Sequence, residues 1–269
     1  MEWQRLYYKV GVAVSSAAHL EMELARARVL QHDLIKSYVR LPDLQQKGLV
    51  EFAHGIGIPV ASHEIYPAAF VGVDTVEHTG ATSRRGYSPK IATLQRSYED
   101  VIQMLGKSRS FFCPMIIAPG TQRLLADDPA LPTDPRFGLY PGWVRATLQA
   151  PGGRGGGRGS GQMVMDAMKA GARIVAGTDT PNAFNLHGEL MSYVIAGMTP
   201  YEALKSATVN PAEALGLDAG TIEPGKLADL VIVEGNPLND ISNAHRVKRV
   251  IANGRIFEME ELLAGVPGR

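Results

Sequence analysis

Short apolar runs alternate with segments of helical spacing from Asp33 to Asp179, and few folds accommodate that order. Asp33 to Val39 (DLIKSYV) reads as a compact strand closed by Pro42, and Asp43 to His54 carries Leu44, Leu49, Val50 and Phe52 at helical spacing. Pro59 to His63 and Thr75 to His78 read as strands, Tyr98 to Leu105 as a helix, and Phe111 to Ile117 as a strand. Met163 to Ala170 is a further helix and Arg173 to Asp179 a further strand. Strand–helix alternation at this spacing predicts parallel βαβ units. The strands are continuously apolar rather than alternating, which suits a sheet covered on both faces. Upstream, Tyr8 to Ser15 is β-rich and His19 to Gln31 is built from helix formers.

The C-terminal part differs. After Gly216, the stretches TIEPGKLADLVIVEGNPLNDI and VKRVIANGRIF read as strands and turns, with Asn253-Gly254 as a hairpin turn between two β runs. The expected organisation is a (β/α) barrel over residues 1–216 and a small β appendage over 217–269. The stretch PGGRGGGRGS, ending at Ser160, is too rich in glycine to pack and reads as a solvated linker.

Composition narrows the function classes. Lys plus Arg and Asp plus Glu number 27 each, so net charge gives no reason to expect nucleic acid or an anionic membrane as partner. The single cysteine, Cys113, excludes an intrachain disulfide. No window approaches the roughly 20 apolar residues that span a bilayer. A soluble, cytoplasmic protein acting on a small molecule is the expectation.

Polar residues stand where apolar ones would be expected. Lys36, His63, His78 and Asp179 each fall at or near the C-terminal end of an expected strand, the end at which (β/α) barrels build active sites. A lone histidine there is more often a hydrogen-bonded core residue. Four candidates from four strands, with imidazole and carboxylate donors of the kind Zn²⁺ takes up, favour a site. Lys36 has two readings. One is a salt bridge to a carboxylate at the barrel mouth. The other is a metal-site lysine, which would have to be carbamylated, because an ammonium has donors and no acceptor.

From Asp33 to Phe257 the chain resembles the amidohydrolase superfamily, in its imidazolonepropionase-like and Xaa-Pro dipeptidase-like branch. DLIKSYV looks like that branch's fourth strand, GIPVASHE its fifth, GVDTVEHTG its sixth and ARIVAGTDTP its eighth. GMTPYEALKSATVNPAEALGL and TIEPGKLADLVIVEGNPL are similar to its C-terminal signature. The resemblance implies a TIM-like barrel and Zn²⁺ or another divalent metal. It implies Lys36 (carboxylated), His63 and His78 as ligands, and Asp179 as ligand and as base toward the attacking water. The implied reaction is hydrolysis of an amide or related C–N bond, with ester cleavage as a variant. The family's His-x-His pair is absent from the seven histidines here, and Tyr8 to Ser15 would correspond to about the third strand. The expectation is therefore an incomplete barrel with one metal per chain, as a fragment or as a short variant completed by another subunit in a homo-oligomer. The rival expectation is a non-catalytic barrel serving as a binding or assembly module.

Four further residues are candidates for substrate binding. His187 lies at the start of a helix in NLHGEL, and Tyr66 closely follows His63. Arg84 and Arg85 follow His78 and could hold a carboxylate bidentately. Cys113 reads as inert core, and His19, His32, His54 and His245 as structural.

Overall fold

The computed structural model describes residues 12–38, 41–80, 90–92, 94, 96–142, 159–179 and 182–265. Its first layer is built in chain order. Helix α1 (Ala17–Val29) leads to strand β1 (Ile35–Ser37), α2 (Asp43–Gly55) to β2 (Val60–Ser62), and the short α3 (Ala68–Val71) to β3 (Thr75–Glu77). Helix α4 (Glu99–Lys107) then precedes β4 (Phe111–Cys113), and α5 (Ala118–Asp127) and α6 (Gly159–Lys169) precede β5 (Arg173–Ile174). All neighbouring pairs are parallel and the strand order is the sequence order. This is a partial (β/α) barrel, as the alternation implied. Among the described residues β1 and β5 do not pair with each other.

Local chemistry sets the helix limits. Ser16 caps α1 by accepting a hydrogen bond from the His19 N–H at 3.1 Å, and Arg26 and Arg28 lie in its last turn, where the helix dipole favours cations. Further along, α7 (Phe184–Ala196) is followed by α8 (Pro200–Ser206), which opens with a reciprocal capping box between Thr199 and Glu202 and with proline in its first turn. Helix α9 (Val209–Ala214) completes this set.

The register sorts the sheet into two faces. Ser37, Ser62, Val76, Phe112 and Ile174 form one row across all five strands, and every member is buried. This row faces the helices. Gln46 of α2 is fully buried and donates to Ser37 Oγ at 2.8 Å and Ser62 Oγ at 3.4 Å, so α2 docks with its polar group satisfied. Val101, Leu105, Met163, Ala167 and Tyr193 join the same apolar core. The opposite face carries Lys36, Glu77 and Cys113, and it is the face on which the polar residues meet.

The C-terminal antiparallel sheet comprises β6 (Leu230–Val233), β7 (Val247–Ala252) and β8 (Arg255–Glu258), followed by α10 (Met259–Ala264). The β7–β8 turn has Asn253 and Gly254 both at positive φ, 49° and 74°, as a two-residue hairpin of this sequence requires. One expectation fails. Val12 to Ser15 is irregular chain rather than strand, and the rest of that run lies outside the described residues. Among the described residues, no helix is long and apolar enough to cross a membrane.

Candidate active site

His63 follows the last residue of β2, and His78 the last residue of β3. Their ring centroids are 4.5 Å apart, with the planes tilted by 56°. The His78 N–H donates to Cys113 O at 2.8 Å, which extends the β3–β4 ladder past Glu77. His78 itself has left-handed backbone, φ 64°. Asp179, five residues beyond β5, is also left-handed at φ 48°, and its Oδ2 lies 3.9 Å from His78 Nε2. Two non-glycine residues in this sparsely populated region, side by side at one sheet edge, fit the tendency of such strain to collect at functional sites. Gly177 is what lets the chain reach Asp179: a Cβ there would overlap Cys113 Sγ.

Lys36 adopts the first of its two readings. Its ammonium pairs with the Glu77 carboxylate across β2. Glu77 Oε2 also lies 3.9 Å from His78 Nε2. The His63 ring stacks at a tilt on Tyr38, with centroids 4.6 Å apart. Lys36, His63, His78 and Asp179 thus come from four strands to the C-terminal side of one sheet.

His187 stands in different surroundings. His187 is the fourth residue of α7 and nearly buried. Its ring lies against Phe184 and His245, with centroids 6.2 and 6.3 Å away. That environment is a small aromatic cluster between α7 and the 3-10 turn Ile241–His245. Tyr66 is exposed. Arg84 and Arg85 lie outside the described residues. Cys113 is buried, and burial raises its thiol pKa well above the ordinary value, so it is inert as expected.

Sequence reasoning missed three groups. Glu77 stands next to His78, and its signal was a second charge inside a short buried strand. Lys90 is 2% exposed, and its ammonium donates to three main-chain carbonyls, His63 O at 2.8 Å, Glu77 O at 2.6 Å and His78 O at 2.9 Å. Nothing in its surroundings in the sequence marks it as buried. Glu189 of α7 is fully buried and has only weak interactions with the Tyr193 hydroxyl and the Met115 and Ile116 N–H groups. Its place among Leu186, Leu190 and Tyr193 at helical spacing was a legible signal.

Burial dominates the electrostatics. It lowers His78 from 6.5 to about 4, with Asp179 acting against the shift and Lys36 and Lys90 adding to it. It lowers His187 to about 4 as well. Burial lowers Lys90 from 10.5 to about 7, opposed by Glu77 and Glu64, and raises Glu189 from 4.5 to about 8. His78 is therefore a neutral imidazole at physiological pH, the form that coordinates metal. The donor types at the site, two imidazoles and a carboxylate, suit a divalent ion such as Zn²⁺. Among the described residues, no three His, Cys, Asp or Glu side chains converge closely enough to enclose one. Lys36, held by Glu77, would have to leave that pair and be carbamylated to contribute oxygen.

The amidohydrolase family profile matches residues 159–257, which contain Asp179 and the C-terminal sheet through Phe257. Over this segment the chain matches the amidohydrolase family. The chain is 52% identical over 68 residues to an adenine deaminase of Methanosphaera stadtmanae, covering 25% of this chain and 11% of that protein. It is 51% identical over 65 residues to an imidazolonepropionase of Pyrobaculum arsenaticum, covering 22% and 16%. In structure it is similar to a Xaa-Pro dipeptidase with methionine bound in its active site. That likeness has a TM-score of 0.65 at 22% identity and covers 91% of this chain and 59% of the other. The chain thus spans well under two thirds of these relatives, and the structural likeness establishes the fold.

Proposed function

We propose that this amidohydrolase-family chain hydrolyses an amide or related C–N bond of a small molecule, with water as nucleophile. One observation carries the reading: His63, His78 and Asp179, from three separate strands, meet at the C-terminal side of the parallel sheet. His63 and His78 would hold a single divalent metal, Zn²⁺ or a similar ion, with Asp179 beside it and Lys36 as a further ligand only if carbamylated. Such an ion supplies Lewis acidity to the scissile carbonyl. Asp179 accepts a proton from the attacking water and returns it to the leaving amine. The low pKa of His78 keeps its imidazole available as a donor through neutral pH. Esters would be cleaved by the same groups. Tyr66, His187, Arg84 and Arg85 are the proposed substrate contacts, the arginines for a free carboxylate. That β1 and β5 are sheet edges among the described residues supports association with a second copy of the chain or with further barrel strands.

The test is elemental analysis of the purified protein combined with hydrolysis of a panel of N-acyl amino acids and dipeptides. Asp179→Asn is expected to keep the metal and to lower turnover by about 10²–10⁴-fold, the usual range for a general base. His63→Ala and His78→Ala are expected to lose the metal. Full hydrolytic activity in metal-free protein refutes the reading. A rival reading, a binding module without catalysis, draws on the 68% exposure of the Asp179 side chain. Metal-free protein inactive on the whole panel would favour it.

A further inference from the structure

Lys90 sits where the sheet gives out. The strands β2 and β3 end at Ser62 and Glu77, and the carbonyls of His63 and His78 lie beyond the last residues of those strands. An ammonium has three N–H donors and no acceptor. The Lys90 ammonium uses all three, at 2.6–2.9 Å, on His63 O, Glu77 O and His78 O. Its side chain is almost wholly buried, so water does not substitute for these bonds. Charge-assisted hydrogen bonds of this length are roughly twice as strong as neutral ones. One cation therefore ties together the two strand ends that carry the two histidines.

The backbone gives this tie a specific task. His78 has φ 64°, which an L-residue with a bulky side chain rarely adopts. Two hydrogen bonds fix its peptide groups: its N–H to Cys113 O on one side and its carbonyl to Lys90 on the other. The left-handed turn sets the direction in which the His78 ring leaves the chain, toward His63 and Asp179.

We infer that Lys90 is a positioning residue that clamps the ends of β2 and β3, holds His78 in its left-handed conformation, and so fixes the His63–His78 ring pair. The inference rests on the proposed function only in treating that ring pair as the working site. The geometry of the rings can be read with no substrate or metal present, so failure of the clamp and failure of the hydrolase reading are distinguishable.

The experiment uses the whole chain labelled at histidine. Rings with centroids 4.5 Å apart give a cross-peak between ring protons in a nuclear Overhauser spectrum. Lys90→Met removes all three donors and is expected to abolish the His63–His78 cross-peak. Lys90→Gln keeps part of the donor set and is expected to weaken it at least threefold. Ser110→Ala is the control. Ser110, just ahead of β4, is equally buried and donates to Val73 O, just ahead of β3, at 2.6 Å, at the strand ends opposite to those that carry the histidines. That variant is expected to lose stability and keep the cross-peak at full intensity. If Lys90→Met does not fold, Lys90→Gln decides by the same criterion. Full-intensity cross-peaks in folded Lys90 variants, or equal losses in Ser110→Ala, overturn the clamp.

Discussion

Glu189→Gln is expected to make the protein more stable than the parent, by a margin that grows with pH. The Glu189 carboxyl is fully buried, and burial raises its pKa from the ordinary 4.5 to about 8. The folded state therefore binds more protons than the unfolded state between those two values. Stability from this group is fully present below pH 4.5 and is lost as pH rises through 8. The displacement is about 3.5 units, and each unit corresponds to about 1.36 kcal/mol, so the full loss approaches about 5 kcal/mol as an upper bound. About 3 kcal/mol of it falls between pH 4.5 and 7. Glutamine has nearly the same shape and does not titrate. Urea denaturation of both proteins at pH 5.5, 7 and 8.5 measures the difference. The curves are expected to diverge steadily, with the variant gaining most at pH 8.5. Parallel pH profiles would show that Glu189 titrates alike in both states, and would refute the account of its burial.

The Lys36–Glu77 pair predicts a loss of about 1 kcal/mol for Glu77→Gln, the range for an ion pair whose side chains are 35% and 14% exposed; a double-mutant cycle with Lys36→Met that returns no coupling would contradict it. Gly188 of α7 lies so close to α5 that a Cβ would overlap Thr121 Oγ1, so Gly188→Ala is expected to cost about 1–3 kcal/mol. Gly48 in α2 has open space around it, so Gly48→Ala should instead add about 0.5–1 kcal/mol, both variants being read by urea denaturation. Among the described residues β1 and β5 are the edges of the parallel sheet, which predicts dimers or larger species in light scattering, and a monodisperse monomer that binds no apolar dye would count against this.

The strands and helices were legible because their signal is local. Continuous apolar runs located β1 to β5 within a few residues, and Asn253-Gly254 located the β7–β8 hairpin. The strand expected from Arg173 to Asp179 shrank to two residues: Gly177 packs its backbone against Cys113 Sγ and Asp179 turns left-handed, and a pattern of apolar residues reports neither. Of the Tyr8 to Ser15 run only Val12 to Ser15 lie among the described residues, and there the chain is irregular although Val14 packs against the core, so β propensity alone did not make a strand. At the site, residue type and strand-end position were enough to select His63, His78 and Asp179. Pairing was not legible. That Lys36 meets Glu77, and that Lys90 reaches back across at least twelve residues to three carbonyls, depend on register and on loop path. His187 was legible as a residue at a helix start, but its packing against Phe184 and His245 was not, because the contact with His245 joins segments far apart in the chain.

Two carboxylates stand at the same distance from His78 Nε2, Glu77 Oε2 and Asp179 Oδ2, each at 3.9 Å, and their surroundings decide which one can serve as base. Glu77 is mostly buried, bound to the Lys36 ammonium and close to Lys90. Protonating it would take the counter-charge from the Lys36 ammonium with which it is paired. Asp179 has no cationic partner among the described residues other than His78, and His78 is neutral at physiological pH. It can take up a proton without stranding a charge, and its exposure gives water a path to it. The division of roles follows from environment rather than residue type: Glu77 balances the lysines, and Asp179 is the group able to accept and return a proton. A pH–rate profile that keeps its acid limb in Asp179→Asn and loses it in Glu77→Gln would reverse this assignment.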